Sequence, residues 1–253
     1  PPRNININSG GIFMTFQTVF KRYELKYLLT KEQKKRILIK TAPHMSIDQY
    51  GRTEIRNIYF DTDNYRLVRR TIERPAYKEK LRIRSYRRAE PDSTVFVELK
   101  KKYNNIVYKR RLPLTETDAL KWLLGEENCR EDTQISKEID YFLKYYNFPR
   151  PSAFLSYERE AYFSDSDLDF RVTFDENILC RLENLSLESE IYGEPLLPEN
   201  TVLMEIKCSG GIPMWMTRVL SEERIYKTSF SKYGEAYRKI IFPKLSKEAE
   251  KYA

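Results

Sequence analysis

Histidine is almost missing: His44 is the only one in 253 residues. Chemistry built on an imidazole base would therefore hang on a single position. Cysteine is scarce and odd in number. Cys129, Cys180 and Cys208 are far apart and share no metal-ligand spacing. They read as free thiols in a reducing compartment, so a cytoplasmic location is expected. No apolar run approaches the ~18 residues of a membrane helix. The opening residues are polar and lack the apolar core of a secretory leader. Residues 1–13 read as a disordered or non-native extension, with Met14 as the expected start of one domain over 14–245. Long linkers, low-complexity tracts and short-period repeats are also lacking.

Basic charge and aromatic side chains are present in excess. Lys plus Arg number 45 against 37 Asp plus Glu, a net +8, with a pI of about 9.2. Such a balance attracts polyanions: nucleic acid, an anionic membrane or phosphorylated small molecules. Nineteen tyrosines contribute to a 13% aromatic content, which favours strands.

The most informative stretch is Leu81-Arg82-Ile83-Arg84-Ser85-Tyr86. Successive side chains of a strand point to opposite faces, so Leu81 and Ile83 share one face and Arg82, Arg84 and Tyr86 the other. Charged residues spaced by two recur as Glu24/Lys26, Glu98/Lys100, Lys109/Arg111 and Glu205/Lys207, and Arg159 and Arg171 stand alone in apolar or aromatic strands. Strands are predicted over 20–28, 52–61, 78–87, 95–101, 106–112, 153–163, 169–175 and 201–208. A further strand is predicted within 65–74, and an edge strand within 179–198. Thr30 and Gln33 form a capping-box pair for a helix that Pro43 ends. Apolar residues three and four apart predict helices over 115–124 and 135–146, and further helices are expected over 213–223 and 231–241. Trp122, Trp215, Met214 and Met216 read as helix packing. The expected fold class is α+β: an antiparallel sheet closed into a barrel, with helices outside.

If the sheet closes, about ten cations line one cavity, and an unpaired buried ion costs several kcal/mol. Three glutamates cannot balance them, whereas a chain of phosphates can. Arginine suits bidentate phosphate recognition. A glutamate among such arginines repels the ligand unless a divalent cation lies between, and Mg²⁺ and Mn²⁺ accept carboxylate and phosphate oxygens together. Glu205 is assigned as metal ligand. Glu24 and Glu98 are further ligands or orient neighbouring lysines. The bland alternative pairs all three with Lys26, Lys100 and Lys207.

Glu24-Leu25-Lys26, Tyr59-Phe60-Asp61, Leu81-Arg82-Ile83-Arg84, Glu98-Leu99-Lys100, Arg159, Arg171, Glu205-Ile206-Lys207 and Ser231-Lys232-Tyr233 occur in an order that resembles the triphosphate tunnel metalloenzymes. Within them the chain resembles the polyphosphate polymerase domain of the vacuolar transporter chaperone (VTC) complex and its stand-alone bacterial relatives. The resemblance runs from Phe20 to about Ile241. It implies an eight-stranded tunnel barrel, a divalent metal on Glu205, and transfer of the ATP γ-phosphate to a growing polyphosphate chain. Phosphate binding then falls to Lys26, Arg82, Arg84, Lys100, Lys109, Arg159, Arg171, Ser231 and Lys232, with Arg111 and Lys207 beside them. The family carries a base two positions before this serine. Here that position is Ser229, and Lys227 is the expected substitute. Alternatives are an inorganic or nucleoside triphosphatase, an adenylate cyclase as in another branch, and a non-catalytic binder of polyphosphate or nucleic acid. Cations that alternate on strands count against nucleic acid.

Overall fold

In the computed structural model the described residues are 23–250 apart from 74, 105 and 168, with backbone alone at 248 and 249. Residues 1–13, and the first three positions of the predicted opening strand, lie outside them.

Strand β1 (Tyr23–Thr30) runs straight into α1 (Lys31–Thr41). The Gln33 amide donates to Thr30 Oγ1, and the Thr30 amide donates to Gln33 Oε1, so two orphan donors at the helix start are satisfied. Then follow β2 (Met45–Ile47), β3 (Thr53–Asp61), α2 (Arg66–Glu73) and the meander β4 (Tyr77–Tyr86), β5 (Thr94–Tyr103) and β6 (Ile106–Thr115). Helices α3 (Glu116–Leu123) and α4 (Gln134–Tyr145) precede β7 (Arg150–Ser164), β8 (Arg171–Arg181), β9 (Glu194–Pro195) and β10 (Thr201–Cys208). Last come α5 (Met214–Glu222), β11 (Lys227–Thr228), α6 (Lys232–Ala236), a π turn (Tyr237–Ile241) and α7 (Phe242–Glu250).

Two expectations are overturned. The strand predicted within 65–74 is helix α2. Leu67, Val68 and Thr71 bury one helical face, and the Asp61 carboxylate accepts from the Leu67 and Val68 amides at 2.8 and 3.0 Å. The turn cluster at 61–64 is thus a helix cap, which side-chain alternation cannot reveal. The closed eight-stranded barrel is also wrong. Among the described residues the sheet has eleven strands in the order β11-β1-β10-β8-β7-β3-β4-β5-β6, with β2 on β7 and β9 on β8, and it does not close. Closure needs matched tilt and stagger all round. Here the short β11 takes part of the outer edge of β1, where Lys26 faces Thr228. The two sides of the curled sheet meet through side chains instead: Lys100 of β5 reaches Glu24 of β1 at 3.0 Å.

Apolar residues leave the concave face for the outside. Ile83, Val97, Leu99 and Leu112 pack under Trp122, Leu123, Ile139 and Phe142. Tyr27, Val172, Phe174, Met204 and Ile206 pack under Ile37, Met216 and Leu220. Each such side chain stabilises the fold by roughly 1.5–3 kcal/mol relative to exposure. Trp122 fits the packing expectation, but Met214 is 69% exposed. A third cluster fills one end of the concave face itself: Ile55, Tyr59, Tyr157 and Leu203 meet Phe230, Tyr233 and Ala236 around α6.

Candidate anion-binding and catalytic site

Register brings the charged positions together. Directly paired residues share a face. Lys26 faces Glu205, and Lys207 faces Arg171. Arg159 faces Asp175, and Asn57 faces Arg84. Arg82 faces Glu98, which in turn faces Arg111, and Lys100 lies between Lys80 and Lys109.

Glu98 is the hub of one half. Its side chain is 1% exposed. Arg82 donates to Oε2 through Nε at 2.9 Å and Nη2 at 2.6 Å, while Lys109 and Arg111 Nε reach Oε1 at 2.6 and 2.8 Å. Arg84 lies 4.0 Å away, and donates to Asn57 Oδ1 and the Tyr157 hydroxyl at 2.9 Å each. Burial alone raises the Glu98 carboxyl; Arg82, Arg84, Lys109 and Arg111 outweigh it and hold the group well below the usual carboxylate range. The cost falls on Lys109. Burial, with the neighbouring arginines, draws Lys109 down to about 7 although Glu98 works the other way. Tyr59, whose hydroxyl accepts from Arg82 Nη1 at 2.9 Å, is buried yet held below the ordinary phenol value by Arg82 and Arg84.

The other half shares its charges among several carboxylates. Asp175 is fully buried; it accepts from Arg159 Nε at 2.5 Å and Nη2 at 2.6 Å, and from Lys232. Glu205 lies 3.1 Å from Lys26, 3.5 Å from Lys232, 3.5 Å from Arg159 and 4.0 Å from Lys207. Glu24 lies 3.3 Å from Lys26 and 3.0 Å from Lys100. Burial opposes ionisation of Glu205, but Lys26, Lys232 and Arg159 hold it well below its ordinary value. Lys100, ahead of Lys26, holds Glu24 low. Burial pulls Lys207 down to about 8.

The remaining sequence-predicted positions diverge. Arg171 sits at the rim, over the Phe163 ring and 3.8 Å from Asp48. Ser231 caps α6 by accepting from the Gly234 amide at 3.1 Å, and Lys80 donates to it at 2.9 Å. A Cβ on Gly234 would sit 3.1 Å from Ser231 Cβ and 3.2 Å from its Oγ, so a larger residue there would push Ser231 aside by a few tenths of an ångström. Lys227 is a correction: it is exposed and faces Tyr27, whose ring lies in the outer core, so it stands on the other face from Lys26. Sequence reasoning passed over Asp175, Lys80, Asn57 and Tyr157. Alternation put Lys80 on the face of Arg82 and Arg84, a usable signal. Asp175 carried none, because a lone acid near a strand end usually faces water.

Among the described residues no three His, Cys, Asp or Glu side chains are grouped to hold a metal. Two carboxylates, Glu24 and Glu205, do converge on the single ammonium of Lys26. That all-oxygen pair fits a hard divalent cation that takes its other ligands from phosphate oxygens. It does not form a self-sufficient cage. A cavity of about 370 Å³ beside Asp61, Arg150 and Lys244 lies away from these side chains and shares none of them.

An antiparallel sheet curled around a face where cations outnumber carboxylates sets up a positive field that attracts anions. The VTC domain family model matches residues 21–241, and the chain belongs to that family. No curated protein matches the sequence. Among solved structures, a candidate adenylate cyclase from Bacillus halodurans is 17% identical, with a TM-score of 0.54, covering 88% of this chain and all of its own. A candidate adenylate cyclase from Vibrio parahaemolyticus is 11% identical, covering 86% of this chain and 98% of its own, at a TM-score of 0.47. A candidate adenylyl cyclase from Hippeastrum, for which a dominant triphosphatase activity is stated, is 13% identical at 0.48, covering 85% and 94%. The first supports the fold. Among the described residues no helix is long and apolar enough to cross a membrane.

Proposed function

We propose that the protein is a metal-dependent polyphosphate polymerase that transfers the γ-phosphate of ATP to the end of a polyphosphate chain. The observation that carries this is the convergence of Arg82, Arg84, Lys100, Lys109, Arg111, Arg159, Lys26 and Lys232 on one concave face, around carboxylates too few to balance them. Phosphoryl transfer needs positioning and charge stabilisation more than covalent help. In this role the Glu98 hub holds Arg82, Lys109 and Arg111 aimed inward, and Arg84 and Arg159 grip the phosphates from neighbouring strands. Glu205 and Glu24 are the residues that would hold Mg²⁺ or Mn²⁺, and the ion would supply charge neutralisation to the phosphates.

The basicity of the carboxylates favours a phosphate acceptor over water. Glu98, Glu205 and Glu24 are all held below their ordinary values, so they are weak general bases. His44 is stacked on Trp215 by the α5 packing and is no substitute. The end of a phosphate chain has a second pKa of about 6 and is already ionised near neutrality. It needs no base.

One observation favours a triphosphatase as second reading. The apolar layer of Tyr59, Tyr157, Leu203, Phe230 and Tyr233 fills one end of the concave face, which suits a short substrate. Incubation with ATP and Mn²⁺ followed by gel analysis separates the two. Long chains support the polymerase; orthophosphate alone supports the triphosphatase; neither product sinks both.

A further inference from the structure

Lys80 belongs to the charged face and has no role above. It is in register with Lys100 and lies between Lys78 and Arg82 on β4. Lys26, Lys100, Lys109, Lys207 and Lys232 each lie within 4.0 Å of a carboxylate. Among the described residues Lys80 has no carboxylate at that distance. Its contact is the Ser231 hydroxyl at 2.9 Å.

Burial is the largest influence drawing Lys80 well below the usual lysine value. Lys26 of β1, Lys100 of β5, and Lys78 and Arg82 of its own strand add to it. An ammonium in such a place, without a counter-ion, sheds its proton before it bears the desolvation cost. Ser231 suits either state. Its oxygen already accepts from the Gly234 amide, so its O–H is available to donate to an uncharged amine, while the oxygen's second lone pair can accept from an ammonium.

We infer that Lys80 is a further anion-binding residue of this cavity, one that takes up a proton from water as a phosphate chain arrives and returns it when the chain leaves. Only an N–H bond forms and breaks. The anion supplies the counter-charge that the protein withholds, so binding and protonation are linked. The inference rests on the triphosphate reading of the cavity, and it assigns to that site a coupling between occupancy and pH. Substrate affinity then falls as pH rises, more steeply than the other cavity lysines alone provide.

The test is calorimetric titration of full-length protein with inorganic tripolyphosphate, without metal, at several values between about pH 6 and about pH 9. Each is repeated in two buffers of different ionisation enthalpy, so that the protons taken up per ligand are counted. Lys80→Met keeps the side-chain length and removes the titrating group, and a thermal melt confirms its fold. In Lys80→Arg, a permanent charge replaces the switch and serves as a second variant. The expected result is about one proton fewer in both variants than in wild type, with at least about tenfold weaker binding in Lys80→Met alone. An unchanged proton count in either variant overturns the inference, even if affinity falls, because a permanently charged lysine would behave that way. Absence of tripolyphosphate binding in the wild type overturns the cavity reading itself.

Discussion

The two halves of the concave face manage their charges differently. Around Glu98 of β5 a single carboxylate holds four basic side chains, two from β4 and two from β6 on either side of it. Around Asp175, Glu205 and Glu24 three carboxylates share Arg159, Lys232, Lys26, Lys207 and Lys100, drawn from strands and a helix far apart in the chain. The first half is strongly cationic and local in sequence. The second is nearer balance and assembled only by tertiary folding. A net positive cluster attracts phosphate; a mixed one can hold a metal ion against phosphate as well.

The largest effect should come from the mixed half. Glu205→Ala is expected to lower turnover with ATP and Mn²⁺ by roughly a hundredfold to a thousandfold or more while tripolyphosphate binding persists, as kinetics and calorimetry would read separately. Full activity in that variant would erase the division of labour. Asp175→Asn attacks the same half through stability. It strips a counter-charge from Arg159 and Lys232, at a cost of about 3–5 kcal/mol, so the melting temperature should drop by roughly 10 °C. A melt unchanged within a degree or so would mean that the buried pair is unimportant.

Arg82→Ala or Arg84→Ala probes the cationic half. Each should weaken tripolyphosphate binding about tenfold to a hundredfold with little loss of fold, the worth of a charged hydrogen bond. Equal affinity would move the anion elsewhere. Glu116 is the control for both halves: it is buried on α3 with no cation paired to it among the described residues, and burial, aided by Glu188, pushes it up to about 7. A carboxyl raised in this way contributes its full stability below the unfolded value and loses it as pH climbs through the folded one. Glu116→Gln should therefore raise the melting temperature at about pH 8 and leave it unchanged at about pH 4. A gain at both would show that charge is not the cause.

The contrast also explains what could be seen from sequence. Arg82, Arg84, Glu98, Lys100, Lys109 and Arg111 were visible because two-residue alternation writes a strand face directly, and neighbouring strands of a meander bring their faces together. Asp175 was missed because its partners Arg159 and Lys232 lie 16 and 57 positions away, a relation that no local period encodes. Lys227 failed for the complementary reason: nearness in sequence to Ser231 does not determine a face. Helix α2 was misread because its cap comes from Asp61, several residues upstream of Leu67 and Val68.

Alternation and composition by themselves determined that the chain folds as antiparallel strands with one basic face, and that this face attracts negative charge, since both follow from side-chain direction and net charge. Only the tertiary structure decided that the sheet stays open, that Asp175 anchors Arg159 and Lys232, and that Lys80 is left with a hydroxyl for company. Those outcomes depend on which distant strands become neighbours, and on how a low-dielectric interior distributes a few carboxylates among many cations.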